Sequence, residues 1–225
     1  MPADAAPSVL VVDDDHDIAE IVQAVLTDEG YAVSCLYDLE GDAVMRAIGR
    51  LEPDCVLLDS VTPGGYEEGW AEAATLALRR RRIPVVMFTA HVLDAHEART
   101  GASPRAKAAE FAAVVGKPFN LDELVAAVAT ATGRSVPFDR SAEGETKRTE
   151  ALVATLAQHG ATDIHPSRMR EWATFLDVRQ RLWQIYWWQG HGVYLVGRYR
   201  DVGRMTLVGQ FVDRDAAIEA ALPGA

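Results

Sequence analysis

Apolar residues arrive along the first half of this chain in short unbroken runs, separated by segments in which they recur three and four positions apart. Val9–Val12, Val56–Leu58 and Val85–Phe88 are uninterrupted runs, and Pro84 opens the last of them. Runs this short without alternation predict strands buried on both faces of a sheet. Between them, Ile18, Ile21, Val22 and Val25 mark one face of a helix, and Gly30 follows it in the position of a C-terminal cap. Tyr31–Leu36 predicts a second strand, and Leu39–Arg50 and Ala71–Arg80 predict helices. An alanine-rich helix over 104–113, a very short strand at Val114–Val115 and a last helix through Leu121, Leu124, Val125 and Val128 complete the series. Strands alternating with helices predict a parallel sheet wrapped on both faces.

The texture changes after Gly133. Residues 134–146 are polar, carry no hydrophobic period and read as a linker. Beyond it, Thr149–Gln158 predicts a helix, and Pro166-Ser167 opens a second one carrying Met169, Trp172, Phe175 and Leu176. Leu182–Trp188, Val193–Tyr199 and Met205–Val212 read as strands joined by short glycine-containing turns, a three-stranded antiparallel meander. A helix over Asp215–Leu222 closes a small α+β unit. The expected domains are therefore 1–133 and 147–225.

Hydrophobic residues make up 49% of the 225, enough for a substantial core in each unit. The part through residue 133 holds 22 of the 33 acidic residues but only 10 of the 22 basic ones, and the remainder is close to neutral. An acidic front half does not favour polyanions and suits a site that collects a divalent cation. Cys35 and Cys55 lie inside apolar runs and read as buried reduced thiols, which points to the cytosol. With no charged-then-apolar leader and no membrane-length apolar run, a cytoplasmic protein without a membrane partner is expected.

Each run in the front half stops at a residue with phosphate or metal chemistry. Val11-Val12 ends at Asp13-Asp14, Val56-Leu57-Leu58 at Asp59, Met87-Phe88 at Thr89-Ala90, and Gly116 at Lys117-Pro118. Ligands of open parallel sheets sit outside the carboxyl ends of the strands. Three acids, a hydroxyl and an amine are thus expected in one crevice. Crowded carboxylates call for a hard cation such as Mg2+, and a carboxylate placed on such a metal can attack phosphorus. Lys117 and Thr89 suit the oxygens of a transferring phosphoryl group.

In these four segments, with Pro63-Gly64 after Asp59 and Phe119 after Lys117-Pro118, the first 133 residues resemble a response-regulator receiver domain of the CheY-like superfamily. The resemblance implies a flavodoxin-like sheet of strand order 2-1-3-4-5. It implies that Asp59 accepts a phosphoryl group from a sensor histidine kinase or phosphotransfer protein. Asp13, Asp14, Asp59 and the backbone carbonyl of Val61 would hold Mg2+, while Thr89 and Lys117 would contact the phosphoryl group. The family can also dimerise. Three features depart from its pattern: Thr62 stands where methionine is usual, residues 64–69 lengthen the following loop, and Val114 occupies the place of the switch aromatic, with Phe111 three residues earlier.

The back half concentrates aromatic and basic side chains. Trp183, Trp187, Trp188, Arg198 and Arg200 are its candidate output surface, suited to a protein partner or, as an alternative, to nucleic acid. No helix-turn-helix pattern supports the nucleic-acid reading. The expected function is a two-component response regulator, not a classical enzyme, whose phosphorylation alters the contacts of its second domain. The alternative within the family is a non-switching docking module.

Overall fold

The structure is a computed structural model, and it describes residues 6–39, 41–59, 68–77, 79, 82–134, 143–167, 170–201 and 204–223. The chain divides into two compact units, Met1–Phe119 with Glu123–Val136, and Asn120–Asp122 with Pro137–Ala225.

In the first unit, strands β1 (Ser8–Val12), β2 (Ala32–Leu36), β3 (Cys55–Asp59), β4 (Val85–Thr89) and β5 (Ala113–Gly116) form one parallel sheet in the order β2-β1-β3-β4-β5. Helices α1 (His16–Asp28), α2 (Gly41–Leu51), α3 (Glu68–Ala77), α4 (Val92–Thr100), α5 (Pro104–Ala109) and α6 (Leu121–Thr132) connect or follow them. The parallel sheet is the one the alternating pattern predicts, and its strand order is that of the flavodoxin-like fold implied by the family resemblance. The central strands β3 and β4 are buried at every position, which explains their unbroken apolar runs. Asp15 caps α1 by accepting from the amides of Asp17 and Ile18, and Gly30 takes the left-handed φ of 81° just past the helix end.

One core cluster of this unit gathers Leu10, Val12, Val44, Ile48, Val56, Leu58, Trp70, Leu76, Met87 and Ala106, with Phe111 and Val114 packed against it. The segment between Thr89 and Lys117 differs in detail from the expected single helix over 104–113. It makes α4, a break at Gly101 (φ 60°), and then α5, which Ser103 caps and which ends at Ala109. Helix α4 escaped the pattern reading because Val92 and Leu93 are 77% and 72% exposed, so its apolar residues do not mark the buried face.

The second unit is a five-stranded antiparallel sheet in the order β10-β9-β8-β7-β6, flanked by α7 (Glu143–Gln158) and α8 (Arg214–Ala221). The strands are β6 (Thr162–Pro166), β7 (Trp172–Leu176), β8 (Leu182–Trp188), β9 (Val193–Asp201) and β10 (Arg204–Phe211). The expected three-strand meander is β8-β9-β10, and two further strands extend it. One of these corrects the sequence reading. The segment expected as a helix through Trp172, Phe175 and Leu176 is strand β7, paired with β6 on one side and β8 on the other. A strand buried on both faces loses the alternation that marks strands, so the spacing of Trp172, Phe175 and Leu176 imitated a helix. Strand β6 was missed because it is polar and largely exposed at the sheet edge. Met169 lies outside the described residues.

On one face of this sheet Ala173, Phe175, Trp183, Ile185, Tyr194 and Val196 pack with Leu152 and Leu156 of α7 and with Ala217, Ile218 and Ala221 of α8. Among the described residues no helix is long and apolar enough to cross a membrane, and Cys35 and Cys55 are free thiols.

Candidate functional site

Four strand ends of the first unit deliver the expected side chains to one place. Asp13 follows β1, Asp59 ends β3, Thr89 ends β4 and Lys117 follows β5. Parallel pairing in register puts these ends level, since Val12 aligns with Leu58, Asp59 with Phe88, and Thr89 with Gly116. Carboxylate oxygens of Asp13, Asp14 and Asp59 lie within 4.8 Å of one another. The ammonium of Lys117 stands 2.7 Å from Asp13 Oδ2 and 2.8 Å from Asp59 Oδ2. It also lies over the ring of Phe88, 4.7 Å from the centroid. The Lys117 amide donates to the Thr89 carbonyl at 2.7 Å, and the Thr89 hydroxyl accepts from the His91 amide at 3.0 Å.

Charge is not balanced here. Three carboxylates face one ammonium, and Asp13, Asp59, Thr89 and Lys117 are all buried. Burial pushes the Asp13 carboxyl well above the usual carboxylate range, and the charge of Asp59 adds to that, against the downward pull of Lys117. Burial alone would lower the Lys117 ammonium, but Asp59 and Asp13 outweigh it and hold its pKa above the ordinary lysine value. The amide of Asp15 donates to Asp13 Oδ1 at 3.0 Å and fixes that carboxylate's orientation. A closely spaced set of hard oxygen donors with surplus negative charge fits a small divalent cation.

A family model for the response regulator receiver domain matches residues 9–129. The chain belongs to that family. Solved structures similar to it include the receiver domain of NtrX from Brucella abortus, 29% identical over 56% of this chain and 99% of that one, with a TM-score of 0.47. A response regulator receiver protein from Burkholderia phymatum is 30% identical over 59% and 99%, also with a TM-score of 0.47. The chemotaxis response regulator CheY4 of Vibrio cholerae is 22% identical over 56% and 98%, with a TM-score of 0.46. In each case the likeness takes in nearly the whole of the other chain and little more than half of this one. By the family-model match the first unit is a receiver domain of a two-component system, a class of phosphoacceptors that binds Mg2+ at an acidic pocket and interacts with histidine kinases or phosphotransfer proteins.

Of the receiver residues singled out in the sequence, Val61 lies outside the described residues, as does most of the 64–69 loop. His91 was not singled out, although it binds the Thr89 hydroxyl through its backbone; a main-chain role leaves no trace in residue type. His16 opens α1 beside the acids and stacks on Tyr37, ring centroids 3.7 Å apart.

Of the residues proposed for an output surface, Trp183, Trp187, Arg198 and Arg200 share the helix-side face of the sheet and Trp188 lies on the other. Trp183 is only 4% exposed and belongs to the core against the helices, which corrects its placement on a surface. Its indole N–H donates to Asp177 Oδ2 at 3.0 Å. Trp187 is half-buried on that same helix-side face, tilted against Tyr194. Trp188 lies on the other face and packs on His191. The Arg198 guanidinium sits over the Trp183 ring, and Arg200 donates to the Met205 carbonyl, so both arginines have partners within the sheet.

Proposed function

We propose that this protein is a response regulator in which Asp59 accepts a phosphoryl group from the histidine of a kinase or phosphotransfer protein. The observation that carries the reading is the Lys117 ammonium bridging Asp59 and Asp13 at 2.8 and 2.7 Å, at the carboxyl edge of the sheet. Asp59 Oδ attacks phosphorus and the phosphorus–nitrogen bond of the donor breaks, its electron pair passing to the imidazole. Lys117 and the Thr89 hydroxyl meet the phosphoryl oxygens, where fixed positive charge and hydrogen-bond donors lower the barrier. Asp13, Asp14 and Asp59 would hold Mg2+, with the Val61 carbonyl that the family resemblance implies, and the ion would neutralise the carboxylates and the oxygens of the transferring group.

In this reading the chain between α6 and α7 joins the receiver to a C-terminal output domain, the expected linker ending earlier than residue 146 because α7 begins at Glu143, and phosphorylation changes the contacts that domain makes with a protein partner. The protein acts in the cytoplasm. Incubation with acetyl phosphate and Mg2+ should add one phosphoryl group to the wild-type chain, seen by mass, and none to Asp59→Asn. Equal incorporation in the variant would sink the assignment of Asp59.

A further inference from the structure

The receiver lacks the family's aromatic at Val114, and a different set of side chains leads away from Thr89. We infer that Arg105 is a positioning residue that transmits the state of Thr89 to Trp70, at the start of α3, through the first turn of α4. The inference rests on the reading of Asp59 as the phosphoacceptor.

The chain of contacts is continuous. The Thr89 hydroxyl accepts from the amide of His91, the residue that starts α4, and the His91 carbonyl accepts the Ala95 amide in the helix's first turn. In that same turn Asp94 is buried, its Oδ2 at 3.4 Å from His91 Nδ1 and its Oδ1 at 3.0 Å from the Arg105 guanidinium. Arg105 comes from α5 and also binds Glu97 through two of its nitrogens. The guanidinium lies over the indole of Trp70, 4.3 Å from the ring centroid, and Trp70 meets Phe111 edge-on at 5.2 Å. Trp70 is 2% exposed, and α3 follows the loop that leaves Asp59.

Physical chemistry makes this arrangement all-or-none. A buried carboxylate without its cation is costly, so Asp94 and Arg105 move together or stay together. A guanidinium held by two carboxylates and a flat ring has one good geometry, which a flexible ammonium cannot reproduce. When the Thr89 hydroxyl turns to a phosphoryl oxygen, the His91 amide either follows it or loses its acceptor. Either response displaces the turn that carries Asp94, and with it the guanidinium on Trp70. Phe111 reaches the same cluster from two residues before β5, so the aromatic missing at position 114 is replaced from a neighbouring place, through Trp70 and not through the crevice. At the other end of α4, Arg99 ties the helix to the Val114 carbonyl and Glu123, so the first turn is the end left to move.

The test uses the full chain labelled with 5-fluorotryptophan, the Trp70 fluorine resonance being assigned with Trp70→Phe. Addition of acetyl phosphate and Mg2+ should shift that resonance in the wild type. In Arg105→Lys, which keeps the charge and loses the planar fork, the shift should be lost although phosphoryl uptake by mass persists. Arg105→Ala provides the stronger perturbation, and the fold of its receiver is checked by far-UV circular dichroism and by phosphoryl uptake. Uptake with a stationary Trp70 resonance in the wild type overturns the inference alone, as does an undiminished shift in Arg105→Lys. Absence of uptake in the wild type overturns both this inference and the assignment of Asp59.

Discussion

Both units bury acids, and they treat them in opposite ways. In the C-terminal unit Asp177 sits at the end of β7 and receives four hydrogen bonds: from the amides of Arg179 and Arg181, from Arg181 Nε and from Trp183 Nε1. Its carboxylate oxygens are fully matched, and it serves the turn into β8, where Gln180 takes a left-handed φ of 59°. Glu171 likewise accepts from the Tyr194 hydroxyl at 2.7 Å. At the receiver site, three carboxylates lie together and one ammonium bridges two of them. A buried acid with a full set of donors stabilises a fold, whereas buried acids in surplus over their counter-charges wait for a further cation or a reacting group.

That contrast can be broken. Lys117→Met removes the positive charge that bridges Asp13 and Asp59, and should cost roughly 4 kcal/mol of receiver stability without Mg2+. Mg2+ should raise the melting temperature of this variant more than that of the wild type, because the carboxylates then lack their competitor. An equal or smaller Mg2+ effect would argue against a metal site.

Asp177→Ala should destabilise the C-terminal unit by about 3 kcal/mol, since the Trp183 N–H and two backbone amides lose their acceptor. Phosphoryl uptake should be unchanged, and a change in it would show that the acid is not merely structural.

The acid limb of the stability profile should show the same group. Hydrogen bonds from Arg181 and Trp183 outweigh burial and hold the Asp177 carboxyl below its ordinary value of 3.8, at about 2. The folded state then binds fewer protons than the unfolded one, so this stabilisation is present above pH 3.8 and disappears as pH falls toward about 2. Its size is about 2 kcal/mol. Asp177→Asn should flatten that limb in tryptophan-monitored unfolding, and an unaltered profile would exclude Asp177 as its source.

The smallest expected effect concerns packing in the same sheet. A Cβ on Gly197 would collide with Met205 Sδ, so Gly197→Ala forces that buried but flexible side chain aside. A loss of about 1 kcal/mol is expected from chemical denaturation.

The sequence was most legible where burial was simplest. Val56–Leu58 and Val85–Phe88 are core on both sides and end at their functional residues, so strand, terminus and chemistry coincide in one short run. It was less legible at Trp172–Leu176, where burial on both faces erased the alternation, and at Thr162–Pro166, where exposure left no apolar signal. Trp183 shows the same limit for function: a tryptophan beside arginines fits an interface or a core equally well until its surroundings are known.

Residue order alone determined the parallel receiver sheet and that Asp13, Asp14, Asp59, Thr89 and Lys117 stand at its strand ends, because strand periodicity and strand ends are local properties. The tertiary structure decided that one lysine serves two acids, that Arg105 joins Asp94 to Trp70, and that Trp183 is interior. Those are pairings between residues far apart in the chain, set by how the elements pack, and no local pattern encodes them.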